Sequence, residues 1–302
     1  MKVCVFTIIK NEQEYLEEWI KYHLDLGVDH LFIFEDNGSE SHKDITNKYP
    51  SDKVSLNSIT ILPIDKSHVH NWQESRQNIY NKEGLWWIKN NYNYDWCFAI
   101  DCDEYITLSS SGDTIQSVLN LYSEYDVVIL QWQNYNANGH VYKPNYEEKG
   151  IIDTYTQKCD KSINDATWKS TKLIYKLSDF KKHYFLGTHL CYDFCKWCKT
   201  DYSKELNKIC YDNIYLRHYL TKSWEEYVWK LNVRGMFHVK HRNYDEFFEM
   251  NKDMLDRKEE LIKWAEEYVK TNKNEQTIYW FAHYCIFMYK LIIIANRYIV
   301  TN

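Results

Sequence analysis

The sequence predicts an α/β fold, a mostly parallel central sheet flanked by helices with a helical extension at the C-terminal side. Three observations carry that expectation. Apolar runs alternate with helical patterns through the first 106 residues. Polar clusters follow directly on three of those runs, where ligands bind in parallel sheets. The stretches 223–237, 244–271 and 276–299 all carry helical spacing.

Taken in order, residues 2–9 form a continuous apolar run, as expected of a strand covered on both faces. Lys10-Asn11-Glu12 then opens a helix whose apolar face is Leu16, Trp19, Ile20, His23, Leu24 and Leu26, and Gly27 ends it. Residues 30–34 read as the second strand, followed by Glu35-Asp36-Asn37-Gly38-Ser39. A short helix is expected over 41–49, a third strand over 54–64 and a long helix over 70–91. Trp96–Ile100 is the fourth strand, and strand–helix alternation of this kind favours right-handed crossovers. Beyond it, 114–122 reads as a helix and 126–132 as a strand. Further strands, antiparallel or mixed, are expected over 167–176 and 182–186.

The composition is that of an ordinary globular chain: 302 residues, 26% charged and 44% hydrophobic. A net charge of −6 gives no global attraction to nucleic acid, and no such partner is expected. Residues 1–9 read as a strand and not as a signal peptide, and nine cysteines are scattered mostly singly. Both point to a reducing compartment, so a cytoplasmic location is expected.

The segment with the strongest chemical signal is Asp101-Cys102-Asp103-Glu104, directly after a buried apolar run and before Tyr105-Ile106. Unpaired charge next to a core is costly. On a strand, period-two alternation points Asp101 and Asp103 to one side, as ligands for Mn²⁺ or Mg²⁺ with a diphosphate completing the shell. The bland alternative is a solvated turn. Asp36 suits a base or ribose contact, with a helix N-cap as the bland alternative. Arg76 can neutralise a phosphate or pair with Asp36. His218, in the loop before a helix opened by the Ser223/Glu226 capping box, is a candidate third metal ligand, and Lys222 a phosphate contact. Cys191, Cys195, Cys198 and Cys210 are closely spaced but lack regular zinc-site spacing, so ordinary thiols are the expectation. The apolar stretch 276–299 is interrupted by His283, Lys290, Asn296 and Arg297. It reads as a core helix, or as a peripheral membrane or homo-oligomer contact, and not as a span.

These pieces together resemble a known family. Lys10-Asn11-Glu12, then Tyr15-Leu16-x-Glu18-Trp19-Ile20-x-Tyr22-His23-x-x-Leu26-Gly27-Val28-x-His30, then Ile33-x-x-Asp36-Asn37-x-Ser39, resemble the start of the family 2 and family 92 related glycosyltransferases. Asp101-x-Asp103-Glu104-Tyr105-Ile106 is similar to their metal motif. His218-Tyr219-x-Thr221-Lys222-Ser223-x-Glu225-Glu226-Tyr227, with Lys230, is similar to their C-terminal segment. The resemblance implies a GT-A fold over 1–235, with a nucleotide-sugar half over 1–106, an acceptor half over 107–235 and a helical extension over 236–302. It implies inverting transfer from a nucleotide-diphosphate sugar, UDP favoured, to a glycan or lipid-linked acceptor in surface polysaccharide or lipooligosaccharide synthesis, at the inner face of a membrane. Asp101, Asp103 and His218 would hold Mn²⁺ or Mg²⁺, while Lys10, Asn11, Glu12, Asp36, Arg76, Asp101 and Lys222 would meet the nucleotide. The pattern departs between about 133 and 215, where the base should lie; Asp193, Asp165 and His189 are the candidates, with Asp160 behind them. The rival reading is an inactive nucleotide- or carbohydrate-binding domain that acts through its last helix.

Overall fold

A computed structural model describes residues 1–36, 42–62, 72–159, 171–178, 180, 185–186, 191–192, 212–231 and 244–271. The elements of the first part alternate as expected: β1 (Val3–Ile9), α1 (Gln13–Asp25), β2 (His30–Glu35), α2 (Lys43–Thr46), β3 (Val54–Ser58), α3 (Trp72–Asn91) and β4 (Trp96–Ala99). There follow β5 (Glu104–Leu108), α4 (Ile115–Asn120), β6 (Val127–Asn134), α5 (Ile151–Thr154), β7 (Thr171–Lys176), β8 (Phe185–Leu186), β9 (Cys191–Tyr192) and β10 (Ile214–His218). The last three helices are α6 (Trp224–Trp229), α7 (Tyr244–Met250) and α8 (Lys258–Thr271). Among the described residues no helix is long and apolar enough to cross a membrane.

The chain divides into two compact units. One is Met1–Tyr135 with Asn145–Thr154 and Lys158–Leu220; the other is Asn136–Pro144 with Tyr155–Gln157 and everything from Thr221 onward. The first contains an eight-stranded sheet in the order β3-β2-β1-β4-β7-β6-β10-β5, with β8 and β9 paired separately. β3, β2, β1 and β4 run parallel, and β7 is antiparallel to both β4 and β6. This is the α/β class expected from the sequence: a parallel half continued by a mixed half.

Burial follows from the strand sequences. β1, β2, β4 and β6 are apolar runs buried along nearly their whole length, because helices cover both sheet faces. One face carries Phe6, Phe32, Phe34, Cys97, Ile129, Leu173 and Tyr175 against Leu85 and Ile88 of α3. On the other, Trp19 of α1 reaches across to donate its indole N–H to Glu104 O at 2.9 Å.

In the second unit Trp224, Tyr227 and Val228 of α6 pack with Phe247, Met254 and Trp264. The Ser223/Glu226 capping box forms as the sequence predicts. The 244–271 helical pattern is broken, however. Asn251 leaves helical geometry, donates its side-chain amide to Phe247 O at 2.6 Å and accepts the Ala137 N–H, so a 3₁₀ segment separates α7 from α8.

Candidate active site

The sheet topology collects the polar clusters at one rim. β1, β2, β4, β6 and β10 all end there, and the antiparallel strands β5 and β7 begin there. β10 lies between β6 and β5, with His218 opposite both Asn134 and Glu104 in register. That pairing brings residues distant in the chain to the Asp101–Asp103 segment.

Asp101 and Asp103 do not lie on a strand. β4 stops at Ala99, and the chain turns before β5, with Glu104 N–H bonded to Asp101 O at 3.1 Å. The Glu104 carboxylate closes the same turn by accepting the Asp101 N–H at 2.9 Å. Strand alternation therefore does not govern the two aspartates, and they have different neighbours. Asp101 Oδ2 accepts from Lys172 Nζ at 2.8 Å, while Asp103 Oδ1 lies 3.8 Å from His218 Nε2.

His218 is the last residue of β10 and not a loop residue. Its Nδ1–H donates to Asn134 Oδ1 at 2.9 Å, which leaves Nε2 as the nitrogen facing Asp103. The Trp132 ring packs on the imidazole with centroids 4.1 Å apart, fixing its plane. An imidazole oriented through its second nitrogen in this way is the usual arrangement of a metal-binding histidine.

Lys172 is the residue the sequence reading missed. Its side chain is 1% exposed, against 37% for Asp101. Burial opposes its charge, but Asp101 and Glu104 prevail and raise its pKa. For Asp101 burial pulls upward, and the Lys172 ammonium overcomes it and holds the carboxyl below its ordinary value. Glu104 is different: burial dominates and pushes its carboxyl well above the usual range, despite Lys172 at 3.8 Å. Its Oε1 makes no hydrogen bond. The available signal was a lysine in the otherwise apolar run Lys172-Leu173-Ile174-Tyr175 of a central strand.

These residues fit a hard divalent cation. The donor set is carboxylate and imidazole, an unbonded buried carboxylate oxygen sits beside it, and the net charge is negative. Among the described residues no three His, Cys, Asp or Glu side chains close a shell by themselves. Further ligands to such an ion would be water and phosphate oxygens, as is usual for Mg²⁺.

On the same rim Lys10-Asn11-Glu12 connects β1 to α1, with Asn11 in the left-handed region at φ 54°. Asp36 is buried directly after β2 and its N–H bonds Ile9 O at 2.9 Å, so the two strand ends are tied. Arg76 lies on α3. Lys222 belongs to the second unit, buried and at φ 51°. Asp160, Asp165, His189 and Asp193 lie outside the described residues, as do Cys195, Cys198, Cys210 and 276–299.

The profile of Glycosyltransferase family 92 matches residues 1–279. A glycosyltransferase family 92 protein of Oryza sativa subsp. japonica is 26% identical over 121 residues, 40% of this chain. One of Ricinus communis is 22% identical over 119 residues, 39% of this chain. The aligned stretches span only 18% and 19% of those two proteins. Among solved structures, glucosyl-3-phosphoglycerate synthase from Mycobacterium tuberculosis, in complex with Mn²⁺ and UDP, is 12% identical with a TM-score of 0.31. That likeness covers 59% of this chain and 57% of the other. The family expected from the motifs and the family whose profile spans the chain coincide, and the expected enzyme class is that family's. The chain belongs to glycosyltransferase family 92.

Proposed function

We propose that this chain transfers a sugar, with inversion, from a nucleotide-diphosphate sugar to a hydroxyl of a glycan or lipid-linked acceptor, with Mn²⁺ or Mg²⁺ as cofactor. UDP is the favoured nucleotide, surface polysaccharide or lipooligosaccharide synthesis the favoured setting, and the cytoplasmic face of a membrane the favoured place. Contact with that membrane or with a second copy is assigned to 276–299. One observation carries the reading: Asp103 and His218 are held 3.8 Å apart at the ligand rim of a sheet, beside the Asp101–Lys172 pair.

Asp103 and His218 would hold the ion, with Asp101 next to it. A bound divalent cation supplies charge neutralisation to the departing diphosphate. Asn134 orients the His218 ring, and Trp132 keeps water from one of its faces. Lys172 keeps Asp101 ionised and in place. Lys10, Asn11, Glu12 and Asp36 would line the nucleoside side of the rim, and Arg76 is the proposed phosphate contact. Inversion needs a group that takes the acceptor proton, and Asp193, Asp165 and His189 are proposed for it.

The test is turnover of a panel of UDP and GDP sugars with Mn²⁺, comparing the parent chain with Asp103→Asn. Loss of one group that stabilises developing charge should lower turnover by about two to three orders of magnitude. Full activity with unchanged metal dependence in the variant would refute the assignment.

A further inference from the structure

At the rim one histidine joins the end of β2 to the start of α1. His42 is 0% exposed and precedes α2. Its Nε2 accepts the backbone N–H of Glu12 at 3.1 Å. A backbone amide can only donate, so Nε2 carries no proton and Nδ1 does. That Nδ1–H donates to Glu35 Oε1 at 2.6 Å, and the same oxygen accepts the His42 backbone N–H at 2.9 Å. Glu35 is the last residue of β2, and Glu12 begins the turn into α1.

The tie has a mechanical sense. Asn11 stands in the left-handed region, which asparagine adopts more readily than other non-glycine residues. The next N–H in the chain is the one His42 accepts. The Glu12 side chain is held in turn by the Tyr15 hydroxyl. Asp36 is coupled to the same point through its bond to Ile9 O. Removing the imidazole takes away the present acceptor of the buried Glu12 N–H, which loosens the loop at that point.

We propose that His42 is a positioning residue for the donor nucleotide: a neutral imidazole that suspends the Lys10-Asn11-Glu12 turn from the end of β2. It touches no reacting atom and acts through the turn. The inference rests on the donor reading above, because it takes this turn to be the nucleoside contact.

The experiment compares the parent chain with His42→Ala and His42→Gln, the second retaining an acceptor for the Glu12 N–H. UDP with Mn²⁺ is the calorimetric probe, and the panel sugar giving turnover is the kinetic one. His42→Ala should weaken UDP binding and raise the donor KM about tenfold, the factor one lost hydrogen bond between well-placed groups produces. kcat at saturating donor should stay within about twofold, the mark of lost uniform binding. His42→Gln should recover most of the loss. Amide exchange at Glu12, read without any nucleotide, should speed up in the alanine variant and not in the glutamine one. Unchanged Glu12 exchange in His42→Ala overturns the tie whatever the nucleotide does. Faster exchange with parental UDP affinity overturns the donor role. A parent chain that binds no nucleotide refutes the donor reading, and this inference with it, while the exchange result still reports the tie separately.

Discussion

At His23 two backbone groups decide the state of one ring. Nδ1–H donates to Trp19 O at 2.8 Å, and Nε2 accepts the Ile106 N–H at 3.3 Å. Only the second bond requires the neutral form, since Nε2 must carry no proton to accept, and burial pushes the pKa from 6.5 down to about 3 against the opposing pull of the Trp19 carbonyl. Below pH 6.5 the unfolded chain therefore takes up a proton that the folded chain refuses, and stability falls as pH drops towards 3. The slope from this residue should be about 1.4 kcal/mol per pH unit. Urea unfolding at pH 7, 5 and 4 checks it: His23→Gln should flatten the acid limb, and parallel limbs would place the sensitivity elsewhere. Lys172 makes the second prediction. Lys172→Met removes the buried cation that Asp101 and Glu104 face; with Asp101 37% exposed to water, the loss should be about 1–3 kcal/mol in the same assay. Neither effect is legible in the chain alone, because His23 sits at an ordinary core position of an amphipathic helix and Lys172 looks like an interruption in an apolar strand.

Elements set the limits on substitution. Gly84 lies within α3, where alanine would ordinarily stabilise by about 1 kcal/mol. Here a Cβ would meet two carbons of the Phe6 ring at 2.5 Å, so the glycine permits close approach of α3 to β1. Gly84→Ala should destabilise by about 1–3 kcal/mol, read as a lowered thermal midpoint. A raised midpoint would mean that the helix can move off the sheet. Strand and helix positions were largely readable from apolar period and capping residues, as in β1, α1, β2 and α6. Two readings failed for local reasons. The Asp101–Asp103 segment is a turn closed by Glu104, and Asn251 breaks the 244–271 pattern through bonds to Phe247 and Ala137. In both cases a side chain competes for backbone groups, which hydrophobic periodicity does not register.

For the whole molecule the prediction is linkage. A ligand that binds only the folded chain stabilises it by mass action, about 2.7 kcal/mol at a hundred times its Kd. UDP with Mn²⁺ should raise the thermal midpoint, either alone should raise it less, and EDTA should abolish the synergy. Equal shifts with and without metal would separate nucleotide binding from the Asp103–His218 pair.

By itself the sequence determined the α/β class, the alternation of strands and helices as far as β4, the family motifs and the residue types at the rim. Those are properties of local pattern: apolar period, capping chemistry and carboxylates placed after buried runs. Only the tertiary structure decided which of these residues meet. The insertion of β10 between β6 and β5 brings His218 to Asp103, the antiparallel entry of β7 gives Asp101 to Lys172, and the adjacency of β1 and β2 lets His42 reach Glu12. The physical reason is that strand pairing joins segments far apart in the chain, and no local pattern carries the register of such a pairing.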